Sequence, residues 1–368
     1  MRVLLSGGGT AGHIYPALTV ADRLRAEGHE VAFVGTPDGL EARLAAEAGV
    51  VFFGVPARGF DRARPHTLVT SSLLMAGSTL RARRLIGSWR PDVVLGFGGY
   101  VSLPVGLAAR TRRVPLVLHE QNSVPGLANR VLSRWAVSVG VTYEGSADHL
   151  RNPARAVVTG NPVRGAVLEA DRERGRRMLG LDPDAVVLLV FGGSRGARHL
   201  NDTFASLAPR LSTVAALQVV HVAGRIEAAS VAERVASTVD GSWQGYIVLD
   251  YIDEMGDAIA AADLVVARAG ATSIAEITAI GRASILVPYP YATDDHQTLN
   301  ARAVAEAGGA VVVPDAGLDD EAFVATVLEL LEDEPRRTAM ASRAASLGRR
   351  DADVRVAALA VAAGEEKR

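Results

Sequence analysis

The sequence predicts an α/β chain built from two doubly wound parallel-sheet domains. Three observations lead there: a length of 368 residues, an alternation of short apolar runs with helical stretches, and an internal echo between the two halves. Domains cluster near ~100–200 residues, so the length suits two. Runs without polar alternation suit strands buried on both faces of a parallel sheet. Their alternation with helical segments implies βαβ units.

In the first half the runs are Val3–Leu5, Val31–Val34, Val50–Val55, Asp92–Leu95 and Leu116–Leu118. In the second they are Val186–Phe191, Leu217–Val222, Tyr246–Leu249, Leu264–Ala267, Ile285–Val287 and Ala310–Val313. Helices are predicted over Tyr15–Ala26, Leu103–Ala109 and Glu169–Met178. Each half opens alike: Val3-Leu-Leu-Ser runs into Gly7-Gly-Gly-Thr, and Val187-Leu-Leu-Val-Phe runs into Gly192-Gly-Ser-Arg-Gly. The expected domains are 1–162, 163–340, and a helical tail over 341–368 that packs back on the first domain.

Apolar residues make up 49% of the chain, enough for a sizeable core. There is no cysteine, which excludes disulfides and thiolate metal sites. No apolar run approaches the ~18–20 residues that span a bilayer, and Val3–Leu5 is too short for a secretory core. The chain is therefore expected to be cytoplasmic and not integral to a membrane. Residues 1–165 hold 19 Arg against 11 Asp and Glu, a balance of +8; the rest of the chain has a balance of −10. Such asymmetry suggests different partners for the two halves. The basic half could meet anionic lipid or nucleic acid, but no basic motif interleaved with aromatics supports nucleic acid.

Gly7-Gly-Gly-Thr-Ala-Gly-His13 lies between a strand and a helix. Glycine lets the backbone approach a ligand, and a helix N-terminus presents N–H groups to anions such as diphosphate. No Asp or Glu ends the second strand, where Val34-Gly35-Thr36 stands, so a dinucleotide fingerprint is disfavoured. Gly96-Phe-Gly-Gly-Tyr100 and Gly192-Gly-Ser-Arg-Gly196 are further glycine turns at strand ends. Together they suggest two substrates meeting between domains. Arg268-Ala-Gly-Ala-Thr-Ser-Ile-Ala-Glu276 opens another helix, with Thr272 and Ser273 in its first turn. Glu276 has two readings: a capping-box carboxylate, or an acceptor of ribose hydroxyls.

Eight segments resemble, in order, the MurG family of peptidoglycan N-acetylglucosaminyltransferases. They are Gly8–Ala17, Gly98–Ser102, His119–Asn122, Gly160–Arg164, Gly192–Ala197, Tyr251–Met255, Arg268–Glu276 and Asp295–Asn300. The resemblance implies a GT-B fold: two Rossmann-like domains facing a cleft, the front half taking a lipid-linked acceptor (lipid I) and the back half UDP-N-acetylglucosamine. It implies that the turn with Ser194 contacts the diphosphate, that the Ile252 backbone meets uracil, and that Ala271, Thr272 and Ser273 cradle phosphate. By the same resemblance Glu276 holds the ribose, Gln297 and His296 contact sugar hydroxyls, and Arg164 reaches the diphosphate or sugar. Thr10, Ala11, Gly12 and Asn122 close the donor site from the front half. Ala11, Arg195 and His296 stand where the family usually has Gly, Gln and Gln.

The resemblance further implies inverting transfer to the C4 hydroxyl of the N-acetylmuramyl unit, which needs a base and a stabilised leaving group. His13 is the candidate base, with a structural role in its loop as the other reading; Glu120 is the competing base, and His119 is read as structural. Arg164 or Arg268 would offset charge on the departing diphosphate. No Asp-x-Asp stands in a strand-end loop, so neither metal nor cofactor is expected; Asp182-Pro-Asp184 reads as a turn. The apolar run Leu68–Met75, with Leu80, Leu85, Ile86 and Trp89, lies among Arg58, Arg62, Arg64, Arg81, Arg83, Arg84, Arg90, Arg112 and Arg113. This reads either as a peripheral docking face for an anionic membrane, on its cytoplasmic side, or as an ordinary amphipathic helix. Rival functions are a GT-B transferase with another lipid or a natural-product acceptor, a UDP-GlcNAc 2-epimerase, and, least favoured, an NAD(P)-dependent oxidoreductase.

Overall fold

The computed structural model describes residues 1–57, 67–193, 197–239, 241 and 243–367, with only the backbone of 67–72. The chain forms two units: Met1–Arg164 with Arg349–Arg368, and Gly165–Gly348. Arg58, Arg62, Arg64, Ser194 and Arg195 lie outside the described residues, as do the side chains of 68–72.

The first unit runs β1 (Arg2–Ser6), α1 (Ala11–Ala26), β2 (Glu30–Gly35), α2 (Leu40–Glu47), β3 (Val51–Gly54) and α3 (Thr67–Trp89). It continues with β4 (Val93–Gly96), α4 (Ser102–Thr111), β5 (Leu116–Glu120), α5 (Leu127–Leu132), β6 (Ser138–Val141) and β7 (Ala156–Val158). The sheet is parallel, in the order β3-β2-β1-β4-β5-β6-β7. Along β1, Val3 and Leu5 enter the core on one face and Leu4 the core on the other. That two-sided burial is why the strand reads as a continuous apolar run. Each such side chain contributes about 1.5–3 kcal/mol. β6 and β7 escaped the sequence reading because they are short and follow no long apolar run.

The second unit runs α6 (Gly165–Leu168), α7 (Arg172–Leu179), β8 (Val186–Phe191), α8 (Arg198–Leu211), β9 (Leu217–Val222), α9 (Ala228–Thr238) and β10 (Tyr246–Leu249). Then come α10 (Met255–Ala261), β11 (Leu264–Arg268), α11 (Ala271–Ile280), β12 (Ser284–Val287), α12 (His296–Glu306), β13 (Ala310–Val312), α13 (Glu321–Glu332) and α14 (Glu334–Leu347). Its parallel sheet has the order β10-β9-β8-β11-β12-β13. In both sheets the order reverses beside the opening strand, between β1 and β4 and between β8 and β11. Ligands in open α/β sheets sit at the strand ends of that switch point, and there stand the turns after β1, β4, β8 and β11.

Two boundaries move relative to expectation. The helix expected over Glu169–Met178 starts later, as α7: Asp171 caps it by accepting from the Arg174 N–H at 2.7 Å, and a separate short helix, α6, ends before it at Leu168. The tail expected from 341 divides at Gly348: α14 packs on α11 within the second unit. The C-terminal helix Ala352–Glu365 packs on α1, burying Val356, Ala357, Ala360 and Ala363 in the first core. Asp353 pairs with Arg23 on α1 at 2.9 Å. Asp182 forms the turn expected of it, accepting from the Asp184 and Ala185 N–H groups.

Candidate active site

Helix α1 begins at Ala11, four residues earlier than the pattern suggests, so Thr10 is its N-cap and His13 stands in its first turn. The His13 Nδ1 lies 3.1 Å from the Gly8 carbonyl and 3.1 Å from Thr10 Oγ1. A carbonyl only accepts, so Nδ1 carries the proton and the lone pair is on Nε2. The helix N-terminus disfavours a cation there by about 0.3–1 kcal/mol, which supports the neutral ring. Gly98 lies over that ring: a Cβ on it would come within 3.3 Å of His13 Cδ2 and 3.4 Å of Nε2. Gly99 has φ +79°, and a Cβ there would stand 2.2 Å from the Gly8 carbonyl oxygen. Only glycine lets these two turns touch. Ser102 on α4 pins the arrangement, its hydroxyl donating to the Gly98 carbonyl at 2.6 Å.

Glu120, at the end of β5, is 1% exposed. Its Oε1 accepts from the Asn122 N–H (3.0 Å) and Asn122 Nδ2 (3.3 Å); its Oε2 accepts from the Gly126 N–H (3.1 Å) and Asn129 Nδ2 (2.8 Å). Burial pushes the carboxyl up, and these four donors pull it back. The group thus organises residues 122–129. His119 donates from Nε2 to the Gly160 carbonyl at 2.9 Å and accepts at Nδ1 from Gln121. Burial lowers its pKa to about 4, so it is a neutral structural ring. The Arg164 guanidinium sits 4.7 Å from the centre of the Tyr15 ring on α1, a cation–π contact. Asn129 carries no motif signal, because it sits on α5, nine positions from Glu120.

In the second unit Gly270 is the N-cap of α11, and no side chain caps the helix. Thr272 and Ser273 therefore stand at the second and third helical positions, and the buried Thr272 Oγ1 has no hydrogen-bond partner. Ala271 is buried at the helix start. Glu276 is the sixth residue of α11, beyond reach of the N-cap N–H that a capping box needs at the third. The capping reading fails, and a buried carboxylate remains one turn past the helix start. Ile252, after β10, is buried in the core beside exposed Tyr251. Gln297 accepts the Tyr289 N–H through Oε1 at 2.9 Å, and His296 donates from Nδ1 to the Thr293 carbonyl at 2.6 Å. Asp294 and Asp295 just before have φ of 53° and 50°, left-handed values that Asp tolerates better than most residues.

Arg268, at the end of β11, is not an unengaged cation. Its Nη1 pairs with Asp315 Oδ1 at 2.5 Å and donates to the Pro288 carbonyl at 3.3 Å. Its guanidinium is 5.8 Å from the Tyr289 ring centre. Among the described residues, no cluster of His, Cys, Asp or Glu could hold a metal ion.

Residues 3–141 match the glycosyltransferase family 28 N-terminal domain, and residues 187–356 match its C-terminal domain. Fold and domains together define a glycosyltransferase built on two Rossmann-like units. A protein of Halothermothrix orenii named UDP-N-acetylglucosamine–N-acetylmuramyl-(pentapeptide) pyrophosphoryl-undecaprenol N-acetylglucosamine transferase is 40% identical over 353 residues, 95% of each chain. The crystal structure of Acinetobacter baumannii MurG superposes with a TM-score of 0.79 at 29% identity, covering 98% of this chain and 99% of that one. A UDP-GlcNAc 2-epimerase of Neisseria meningitidis, at 14% identity, 98% and 100% coverage and TM-score 0.70, shares the fold alone. The chain belongs to the MurG family of N-acetylglucosaminyltransferases.

Proposed function

We propose that this enzyme transfers N-acetylglucosamine from UDP-N-acetylglucosamine to the C4 hydroxyl of the N-acetylmuramyl unit of lipid I, with inversion, at the cytoplasmic face of a membrane. His13 is the base. The observation that carries this is the Nδ1 bond to Gly8, which leaves the lone pair on Nε2, as proton removal requires. Glu120 supports the site without being the base, because both its oxygens already accept two hydrogen bonds. By the family resemblance Thr10, Ala11, Gly12 and Asn122 take part in holding the donor, and Arg164 reaches the diphosphate or sugar.

The second unit takes the donor. The uncapped first turn of α11, with Ala271, Thr272 and Ser273, offers N–H groups and an unpartnered hydroxyl to diphosphate. Glu276 accepts the ribose hydroxyls and the Ile252 backbone reads uracil; Ser194, outside the described residues, is assigned to the diphosphate by the family resemblance alone. Gln297, whose oxygen is occupied by the Tyr289 N–H, turns its amide nitrogen to a sugar hydroxyl, with His296 beside it. Helix α3 docks on anionic lipid. Its outer face carries Leu73 (69% exposed), Leu80 (46% exposed) and Arg84, flanked by Arg81 and Arg83, while Ala82 and Ile86 face the core.

The test is incubation with radiolabelled UDP-N-acetylglucosamine and a lipid I analogue. His13→Ala should lose turnover and keep donor binding; Glu276→Ala should lose donor affinity. Consumption of donor without any acceptor would instead indicate an epimerase.

A further inference from the structure

Four charged side chains form a chain beside the β11–α11 turn. His199, in the first turn of α8, lies between two carboxylates: Nδ1 is 2.9 Å from Asp315 Oδ2 and Nε2 is 3.1 Å from Asp319 Oδ2. Ionised carboxylates only accept, so both contacts are satisfied together only by the imidazolium. The other Asp315 oxygen pairs with Arg268, whose side chain is 7% exposed and whose Nε is buried without a hydrogen-bond partner. These four residues come from the segments that follow β8 and β13 and from the end of β11.

The geometry points to a proton-linked relay in which His199 and Asp315 position Arg268 and set the net charge that the donor's diphosphate meets at the start of α11. This rests on the donor site proposed above. With His199 protonated, two cations and two carboxylates sum to zero. With His199 neutral, the sum is −1, and Asp315 directs its whole charge at Arg268. A diphosphate arriving at the same turn is then repelled. Asp315 and Asp319 raise the His199 pKa above its ordinary value despite partial burial. For Asp315, burial raises the pKa, but His199 and Arg268 hold it low. Donor affinity therefore falls as pH rises through the elevated His199 value, and donor binding takes up protons near that pH.

The probe is UDP-N-acetylglucosamine, whose diphosphate is esterified at both ends and does not titrate near neutrality. Calorimetric Kd is measured from pH 6 to 9 for the full chain, His199→Gln and Asp319→Asn. The wild type should weaken about fivefold across the range. His199→Gln should bind at the weak level throughout, and Asp319→Asn should move the midpoint to lower pH. A wild-type Kd independent of pH, a slope that survives in His199→Gln, or an unmoved midpoint in Asp319→Asn overturns the relay. Absence of binding by the wild type at every pH would instead sink the donor site itself.

Discussion

His13 and Glu120 divide two tasks that a sequence reader would assign to either one. The ring in the first turn of α1 has a single tautomer imposed by Gly8, whereas the carboxylate is enclosed by four donors. Removing Glu120 would leave those donors unsatisfied inside the first unit, so Glu120→Ala should cost about 3 kcal/mol. Urea unfolding should show it, while His13→Ala should leave the unfolding midpoint nearly unchanged and abolish transfer. If Glu120→Ala were as stable as wild type yet inactive, the carboxylate would regain its claim as the base. In each unit the candidate residue types were legible early, because His13, Thr272 and Gln297 sit at helix starts and Glu276 lies one turn further on. Long-range partners were not: Asp315, which pairs with both, lies 47 positions from Arg268 and 116 from His199.

At the scale of elements, the packing of one glycine turn on another orients His13, the proposed base. Gly99 contacts Gly8 backbone to backbone, and Gly8 orients His13. Gly99→Ala should therefore shift the first turn and reduce kcat far more than donor affinity, with a stability loss of about 3 kcal/mol. Unchanged kcat would show that the turns move independently. Helix α3 raises a different question, since its outer face presents leucines beside arginines. Arg81→Glu, Arg83→Glu and Arg84→Glu together should abolish sedimentation with anionic vesicles and leave binding of UDP-N-acetylglucosamine intact. Undiminished sedimentation would make α3 an ordinary surface helix. The strands were readable as uniform apolar runs because both faces of each sheet are covered. Helix starts were less so: Gly12, which looks like loop, lies in the first turn of α1, and the short α6 has no strong signal in composition.

At the scale of the whole molecule, each unit carries one buried neutral histidine among the described residues, His119 in the first and His221 in the second. Burial lowers both to about 4. An unfolded histidine titrates near ~6.5, so below that pH the unfolded chain binds protons that the native state refuses. Each ring should then remove about 3 kcal/mol as pH falls from 6.5 towards 4. His199 has the opposite sign: its pKa is raised, so its stabilisation is complete below the unfolded value and is lost as pH rises through the elevated one. Calorimetric melting should accordingly show acid destabilisation of both units below pH 6.5, where the His199 contribution is already complete, and a loss in the second unit as pH rises through the elevated His199 value; melting that is flat from pH 7 to 5 would mean that the rings are protonated in place. The doubled Rossmann-like plan was visible in the echo of Val3-Leu-Leu-Ser-Gly and Val187-Leu-Leu-Val-Phe-Gly, but the division of the tail at Gly348 is set by long-range packing that local pattern does not encode. The assignment of donor recognition to the second unit is tested most directly by crystals soaked with UDP-N-acetylglucosamine. Uridine should rest against Ile252 with its ribose on Glu276 and its diphosphate at the first turn of α11. Density for the nucleotide on the first unit, or away from those residues, would contradict it.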